Sequence, residues 1–448
     1  MWNAVQLCQN IDESGFPGDA GIPWDTVQRG SSKYLRGDPT TPGQPSYPGI
    51  YTRPIKEILE FTKNNIDGPH IWAPLPQQPI SITDANYLIE QLDGVNAPAD
   101  WLDETDLKLT KLGGTIKSGG LFELQIAPKY QRSRSEDVIG FIEGSEYPDE
   151  YVMIGNHRDS WVHGTIDPSS GTTTLFELSQ VFSDMQYRPK RSIVFLSWGS
   201  EEHGLIGSEE FVEEFYWNIR ERAVAYINSD VAFEADGYFR ALSTPILHEF
   251  VYETAKLVPH HGSEKKTVYD HWLENDKGTD GKPGIGAGGV GSDYAPLTHL
   301  AGVPFVDISV KQNERRTSSY STYHTAYDNY AYTSKFIDPE WKAAQMVTRM
   351  AGVFVMKLAQ RDNLAFSAGS TKTMVTDYIN AIDAPMKDLM DKGQMEALRS
   401  AADKFNQALE AAVSNGASMR AQHRLLGHNK HLINFESTHP IQVRFRST

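Results

Sequence analysis

The chain has 448 residues, of which 39% are hydrophobic, with a formal net charge of −16 and one cysteine. That length accommodates two or three domains with ordinary packed cores, and the acidic balance excludes the basic footprint of a nucleic-acid surface. The lone Cys8 rules out an intrachain disulfide, and the sequence contains neither an Asn-x-Ser/Thr sequon nor an apolar run long enough to span a bilayer.

Met1-Trp2-Asn3-Ala4-Val5-Gln6 lacks the basic and apolar regions of a signal peptide. Residues 1 to about 50 are rich in Gly and Pro and read as turns and loops. Thr83 through Leu92 reads as a short helix, and Leu121 to Ile126, with partial alternation, as a strand. This first part shows no core of its own and reads as part of a domain that began upstream.

From about residue 137 the pattern becomes strand, helix, strand, helix. Strand-like runs occupy 151–156, 191–198 and 223–229. Between them, 171–185 places Leu175, Leu178, Val181 and Phe182 on one helical face, and 208–221 carries Phe211, Phe215 and Ile219. Such alternation predicts a largely parallel sheet covered on both faces by helices, an α/β fold. Residues 262–292, polar and Gly-rich, read as a long loop. Pro304 to Val310 is a further strand, and from about 338 onward the pattern is helical, with amphipathic helices in 375–413. Phe435 to Thr448 has little helical character.

Candidate ligands cluster at the ends of the strand-like runs. His157-Arg158-Asp159 follows the first, Glu201-Glu202 the second and Ser229-Asp230 the third, while Asp167 lies in the loop after His157. In an open α/β sheet, ligands collect beyond the carboxyl ends of strands. One His and several acids arriving there suggest a metal site, for one metal or for two. Each element also has an ordinary reading. His-x-Asp is a common coincidence. Asp167-Pro168-Ser169-Ser170 suits a turn and helix cap. An isolated Glu-Glu pair reads as a solvated loop, Asp230 as a strand-end cap, and His324 as a loop histidine among tyrosines. Order and placement carry the argument. Gly286-Ala287-Gly288-Gly289-Val290-Gly291 satisfies G-x-G-x-x-G, but it follows a polar stretch and not a strand, so it reads as a flexible loop and not a dinucleotide site.

Taken together, His157-Arg158-Asp159-Ser160-Trp161-Val162, Ile166-Asp167-Pro168, Trp198-x-x-Glu201-Glu202-x-Gly204-Leu205, Tyr226-Ile227-Asn228-x-Asp230, Gly291-Ser292-Asp293-Tyr294 and Tyr323-His324 resemble, in order, the glutamate carboxypeptidase II family. The transferrin receptors share its architecture without peptidase activity. The resemblance implies a zinc-exopeptidase sheet over 137–366, preceded by a partial protease-associated apical domain in 1–136 and followed by a helical dimerisation-like domain in 367–448. It implies two zinc ions per chain, one held by His157, Asp167 and Asp230 and the other by Asp167, Glu202 and His324. Glu201 matches the catalytic acid/base, Tyr323 an oxyanion-stabilising hydroxyl, and Asp159 the residue orienting His157. Glu210 and Glu213 fall where the family has a structural Ca2+ site.

The resemblance also outlines a substrate pocket. Arg29 and Arg240 match pocket arginines, Gly291 and Ser292 fall in its wall with Ser292 replacing an asparagine, and Asp307 and Ser309 stand at two further arginine positions. An Arg-to-Asp change repels an acidic side chain, so the expected residue before the cut is neutral or basic. The implied activity is hydrolysis of a terminal peptide bond of small peptides, carboxypeptidase-like; the rivals are an aminopeptidase on the same site and a catalytically silent receptor-like protein. Family members are type II membrane proteins, dimeric through the helical domain. Relative to them this chain reads as N-terminally truncated, and no anchor or signal is recognisable in it. Lys430 matches a carboxylate-binding lysine in one of two alignments, and the family's final helical segment is not recognisable after Phe435.

Overall fold

The structure is a computed structural model that describes residues 23–421 except 34–35, 65–76, 102–106, 128, 130, 279, 312–319, 365, 387–389 and 391. Cys8, Lys430 and the stretch from Phe435 onward lie outside the described residues.

Helices α1 (Ile55–Asn64) and α2 (Ile82–Ile89) and the strand pair β1 (Val95–Asn96) and β2 (Lys111–Leu112) form the first part. Ser81 caps α2 by accepting from the Asp84 amide at 3.0 Å, which sets the start of the predicted helix. The strand expected at Leu121 to Ile126 is not formed. Leu121, Phe122 and Leu124 are exposed, because no neighbouring strand pairs with the segment and alternation alone cannot bury one face.

The elements that follow are β3 (Val138–Ile142), β4 (Tyr147–His157), α3 (Ser169–Asp184), β5 (Arg191–Trp198), α4 (Ile206–Arg222), β6 (Ala223–Asn228), β7 (Tyr238–Ser243), α5 (His248–Ala255), β8 (Pro259–His260), β9 (Ser263–Thr267), α6 (Val268–Asn275), β10 (Ile285–Gly286), α7 (Tyr294–His299), β11 (Phe305–Lys311), the single turn α8 (Tyr330–Tyr332), α9 (Lys342–Gln360), α10 (Ala368–Met386) and α11 (Lys392–Ala421). Seven strands make one sheet in the order β10-β7-β11-β6-β4-β5-β3. The four central strands β11, β6, β4 and β5 are mutually parallel, while β3 pairs antiparallel with β5 and β7 antiparallel with β11.

Alternation along these strands divides the core in two. Val152, Ile154, Ile193, Phe195, Val306 and Ile308 face one layer with Leu175, Leu178, Met346 and Phe354. Met153, Val194, Leu196, Trp198, Tyr226 and Phe305 face the other with Val212, Ile219 and Leu297. Burial on both faces explains why β4, β5 and β6 read as near-continuous apolar runs. Arg191, fully buried at the start of β5, donates through Nε to Glu150 at 2.6 Å and through Nη1 to the Leu358 carbonyl at 2.9 Å, tying the sheet to the end of α9.

The long loop expected at 262–292 contains β9, α6 and β10. Thr267 and Asp270 form a reciprocal capping box that starts α6, and Trp272 on it is fully buried. The polar composition concealed one anchoring aromatic. No helix among the described residues is long and apolar enough to cross a membrane.

Candidate metal centre

Parallel pairing of β6 with β4 and of β4 with β5 sets three strand ends side by side. His157 is the last residue of the central strand, Glu201-Glu202 follow β5, and Asp230 follows β6. Gly171, in the first turn of α3, packs against the Asp230 segment. A Cβ there would lie 1.7 Å from the Ser229 carbonyl and 2.5 Å from that of Asp230, so this approach requires glycine.

Two triads of ligand atoms result, His157/Asp167/Asp230 and Asp167/Glu202/His324, each with its atoms within 4.8 Å of one another. His157 Nε2 is 2.9 Å from Asp230 Oδ1 and 3.3 Å from Asp167 Oδ1. His324 Nε2 is 3.2 Å from Asp167 Oδ2 and 3.1 Å from Glu202 Oε2. Asp167 therefore turns one oxygen to each histidine. It does not cap α3, whose first residues follow Pro168 without a side-chain cap.

Each imidazole is held from behind by a carbonyl. His157 Nδ1 donates to the Asp159 carbonyl at 2.9 Å, and His324 Nδ1 donates to the Arg29 carbonyl at 2.9 Å. A carbonyl only accepts, so Nδ1 carries the proton and Nε2 faces the carboxylates. The Arg29 amide donates back to the His324 carbonyl at 3.0 Å, clasping a residue whose φ is 59°. The Asp159 side chain serves both neighbours: Oδ1 lies 3.6 Å from His157 Nδ1 and accepts from the Glu201 amide at 2.9 Å, and Oδ2 accepts from the Glu202 amide at 3.1 Å. It fixes the Glu pair, while its backbone holds His157.

The electrostatics suit cations. Among the described residues, the ion pairs of Asp159, Asp167, Glu201, Glu202 and Asp230 are all to His157 or His324. Without metal, burial disfavours a charged His157, but Asp230, Asp159 and Asp167 outweigh it and its pKa lies well above the usual value. His324 is pushed up to about 9, its burial outweighed by Asp167 and Glu202. Burial raises Glu201 well above the carboxylate range, with the neighbouring acids adding to the effect and His157 opposing it. Asp167 Oδ1 and Glu202 Oε1 are buried with no hydrogen-bond partner. Two imidazole nitrogens with carboxylate oxygens, two of them unpartnered, fit zinc-type ligation.

Of the remaining sequence candidates, Tyr323 stacks on His324 with ring centroids 3.6 Å apart, and burial, with Asp167 and Glu202 adding, raises its phenol pKa. Arg29 Nη1 donates to the Val27 carbonyl at 3.2 Å. Arg240 sits on β7 opposite Ser309 of β11, and Asp307 lies two residues before Ser309. Gly291 has open space at its Cβ position. Ser292 is buried, and its hydroxyl donates to Asp230 Oδ2 at 2.6 Å. Glu210 Oε1 accepts from the Asp38 amide at 2.6 Å, away from the two triads, and Glu210 Oε2 and Glu213 Oε2 are buried without hydrogen-bond partners.

Sequence reasoning gave no role to two further acids. Asp328 accepts from the amides of Ile166 and Asp167 at 2.7 and 3.0 Å and so shapes the Asp167 loop. Asp293 accepts from Ser208 Oγ at 2.5 Å, and burial raises its pKa to about 8. Both sit inside motifs already quoted or beside them, but a side chain that accepts from groups distant in sequence leaves no spacing signal.

Comparison with known proteins adds to this geometry. Residues 137–349 match the model of peptidase family M28. An aminopeptidase, NAALADL1, of Mus musculus is 34% identical over 452 residues, covering 97% of this chain and 57% of the relative. A glutamate carboxypeptidase 2 homolog of Caenorhabditis elegans is 37% identical over 329 residues, covering 70% and 41%. A probable glutamate carboxypeptidase, LAMP1, of Arabidopsis thaliana is 34% identical over 355 residues, covering 79% and 48%. The chain thus spans about half the length of these relatives.

Proposed function

Residues 137–349 of this chain belong to peptidase family M28, and from that membership we propose that the protein is a di-zinc exopeptidase hydrolysing a terminal bond of small peptides. The observation that carries the reading is Asp167, whose two oxygens face His157 and His324 separately, as a carboxylate shared between two cations requires. His157, Asp167 and Asp230 would hold one ion, and Asp167, Glu202 and His324 the other. When bound, such ions supply Lewis acidity to a water and to the scissile carbonyl.

The protein's own groups do the rest. Glu201 is not a member of either triad, yet its Oε2 lies 4.0 Å from His157 Nε2, beside the reacting region. It accepts the proton of the attacking water and returns it to the leaving amine. Asp159 fixes the backbone on which Glu201 and Glu202 diverge. Tyr323, kept protonated by its raised pKa, donates to the developing oxyanion.

The resemblance supports carboxypeptidase polarity, with Arg29, Arg240, Gly291 and Ser292 contributing to the substrate pocket. A second reading, aminopeptidase polarity, is favoured by the Arg29 guanidinium lying on the Val27 carbonyl and by the name of the mouse relative that matches 97% of the chain. Blocked peptides separate the two: one panel keeps only the free amino end, the other only the free carboxylate. Hydrolysis of neither, with zinc bound, would contradict the exopeptidase reading and favour a silent receptor-like protein.

Asp307 supports a neutral or basic residue before the cut. It accepts from Asn228 Nδ2 at 2.8 Å, and burial raises its pKa to about 7. Fastest turnover of acidic dipeptides would overturn that preference. The same reading includes a dimer through 367–448, tested by sedimentation, and Ca2+ at Glu210 and Glu213.

A further inference from the structure

Asp230 is approached from behind by an unbroken run of hydrogen bonds. Trp198 Nε1 donates to the Tyr226 hydroxyl at 2.9 Å, and that hydroxyl donates to Asn228 Oδ1 at 2.9 Å. Asn228 Nδ2 donates to Ser292 Oγ at 2.9 Å, and Ser292 Oγ donates to Asp230 Oδ2 at 2.6 Å. Trp198, Tyr226, Asn228 and Ser292 are all buried, so no bulk water competes for these groups.

The direction of every bond is determined. An indole N–H only donates, so the Tyr226 oxygen accepts from it and sends its single proton onward to the Asn228 carbonyl oxygen. The Asn228 amide nitrogen then has two protons, one used on Ser292 and one on Asp307 Oδ1 at 2.8 Å. Ser292 receives one of them and has one proton left, which Asp230 Oδ2 accepts. Gly155 makes room for the run: a Cβ there would lie 2.6 Å from the Tyr226 hydroxyl and 3.0 Å from Trp198 Nε1.

We infer that Ser292 is a positioning residue for the metal ligand Asp230, oriented by the Trp198–Tyr226–Asn228 run. The inference rests on the di-zinc reading. Donation to Oδ2 leaves Oδ1 as the oxygen that faces His157, at 2.9 Å, and fixes the rotamer of a carboxylate that is otherwise at a strand end. Bonds that point the same way polarise one another, which strengthens the final donation. Groups that orient ligands in this way contribute about 10–100-fold to metal affinity. The ion held by His157, Asp167 and Asp230 depends on this arrangement, and the ion held by Asp167, Glu202 and His324 does not, because the Ser292 side chain hydrogen-bonds to Asn228 and Asp230 and, among the described residues, to none of that ion's ligands.

The test is calorimetric titration of cobalt(II) into metal-free full chain for wild type, Ser292→Ala and Ser292→Thr, with circular dichroism as the fold control. Wild type should bind in two steps. Ser292→Ala should weaken one step by about 10–100-fold and leave the other unchanged, and Ser292→Thr, which keeps the hydroxyl, should restore it. Tyr226→Phe, two bonds further back, should weaken the same step by less. Unchanged affinities in Ser292→Ala would overturn the inference. So would a natively folded Ser292→Thr as weak as Ser292→Ala. Failure of wild type to bind two cobalt ions would overturn the di-zinc reading itself, and is visible before any variant is compared.

Discussion

Replacing Glu201 by Gln and, separately, Glu202 by Gln should separate two adjacent carboxylates that the fold points at different tasks. Each change substitutes one atom and leaves the backbone clamp from Asp159 to both amides in place. Glu202 Oε2 lies 3.1 Å from His324 Nε2 within a ligand triad, and Glu201 lies outside both triads. Glu201→Gln therefore removes a proton acceptor and no ligand. A positioned general base contributes roughly 10²–10⁴-fold to rate, or about 2.7–5.4 kcal/mol at 1.36 kcal/mol per decade. The expected result is a fall in kcat of that size with zinc content unchanged. Glu202→Gln should instead lower the zinc content. The assay is single-substrate turnover on the active peptide panel, paired with elemental analysis of the same preparations. A Glu201→Gln rate within about threefold of wild type, or loss of zinc equal to that of Glu202→Gln, would refute the division of roles.

Three further outcomes follow from the geometry. Gly171→Ala places a methyl 1.7 Å from the Ser229 carbonyl. It should cost at least about 3 kcal/mol, the upper end of ordinary overpacking, by denaturant unfolding; a loss under about 0.5 kcal/mol would show that the α3 contact is not tight. Arg191→Met removes the guanidinium partner of buried Glu150 and should cost about 3–5 kcal/mol by the same method; a neutral result would show that this buried pair does not hold β5 to β4. Burial, with neighbouring acids adding, raises Glu213 to about 8, and burial outweighs the Asp38 amide to raise Glu210 to about 7. Carboxyls raised on folding bind more protons in the folded state, so their stabilisation is full below their unfolded pKa and is lost as pH climbs through about 7 and 8. Thermal midpoints without calcium should fall across that window, and Glu213→Gln or added Ca2+ should flatten the fall; parallel curves for wild type and variant would contradict it.

The sheet was legible because strands buried on both faces leave apolar runs that need no partner to be recognised. The predicted run 191–198 coincides with β5, and the predicted run 151–156 lies within β4. The two candidate triads were legible because His157, Glu202 and Asp230 come at or soon after the ends of such runs with Asp167 in the loop after His157, and His324 through the resemblance. What was hidden depends on contacts that sequence spacing does not encode. The helix in 262–292 hangs on one buried tryptophan and a capping box. Asp159 holds the Glu201 and Glu202 amides as well as His157 because its carbonyl and its carboxylate reach different partners, a distinction of backbone geometry. Ser292 was assigned to a pocket wall, and only the buried run from Trp198 shows where its proton goes.

The central claim is that these strand ends assemble a centre for two metal ions, and zinc per chain by elemental analysis of purified, undialysed protein tests it most directly. The account predicts about two zinc ions per folded chain. A value near zero in a folded sample, with circular dichroism showing native helix and sheet, would contradict it.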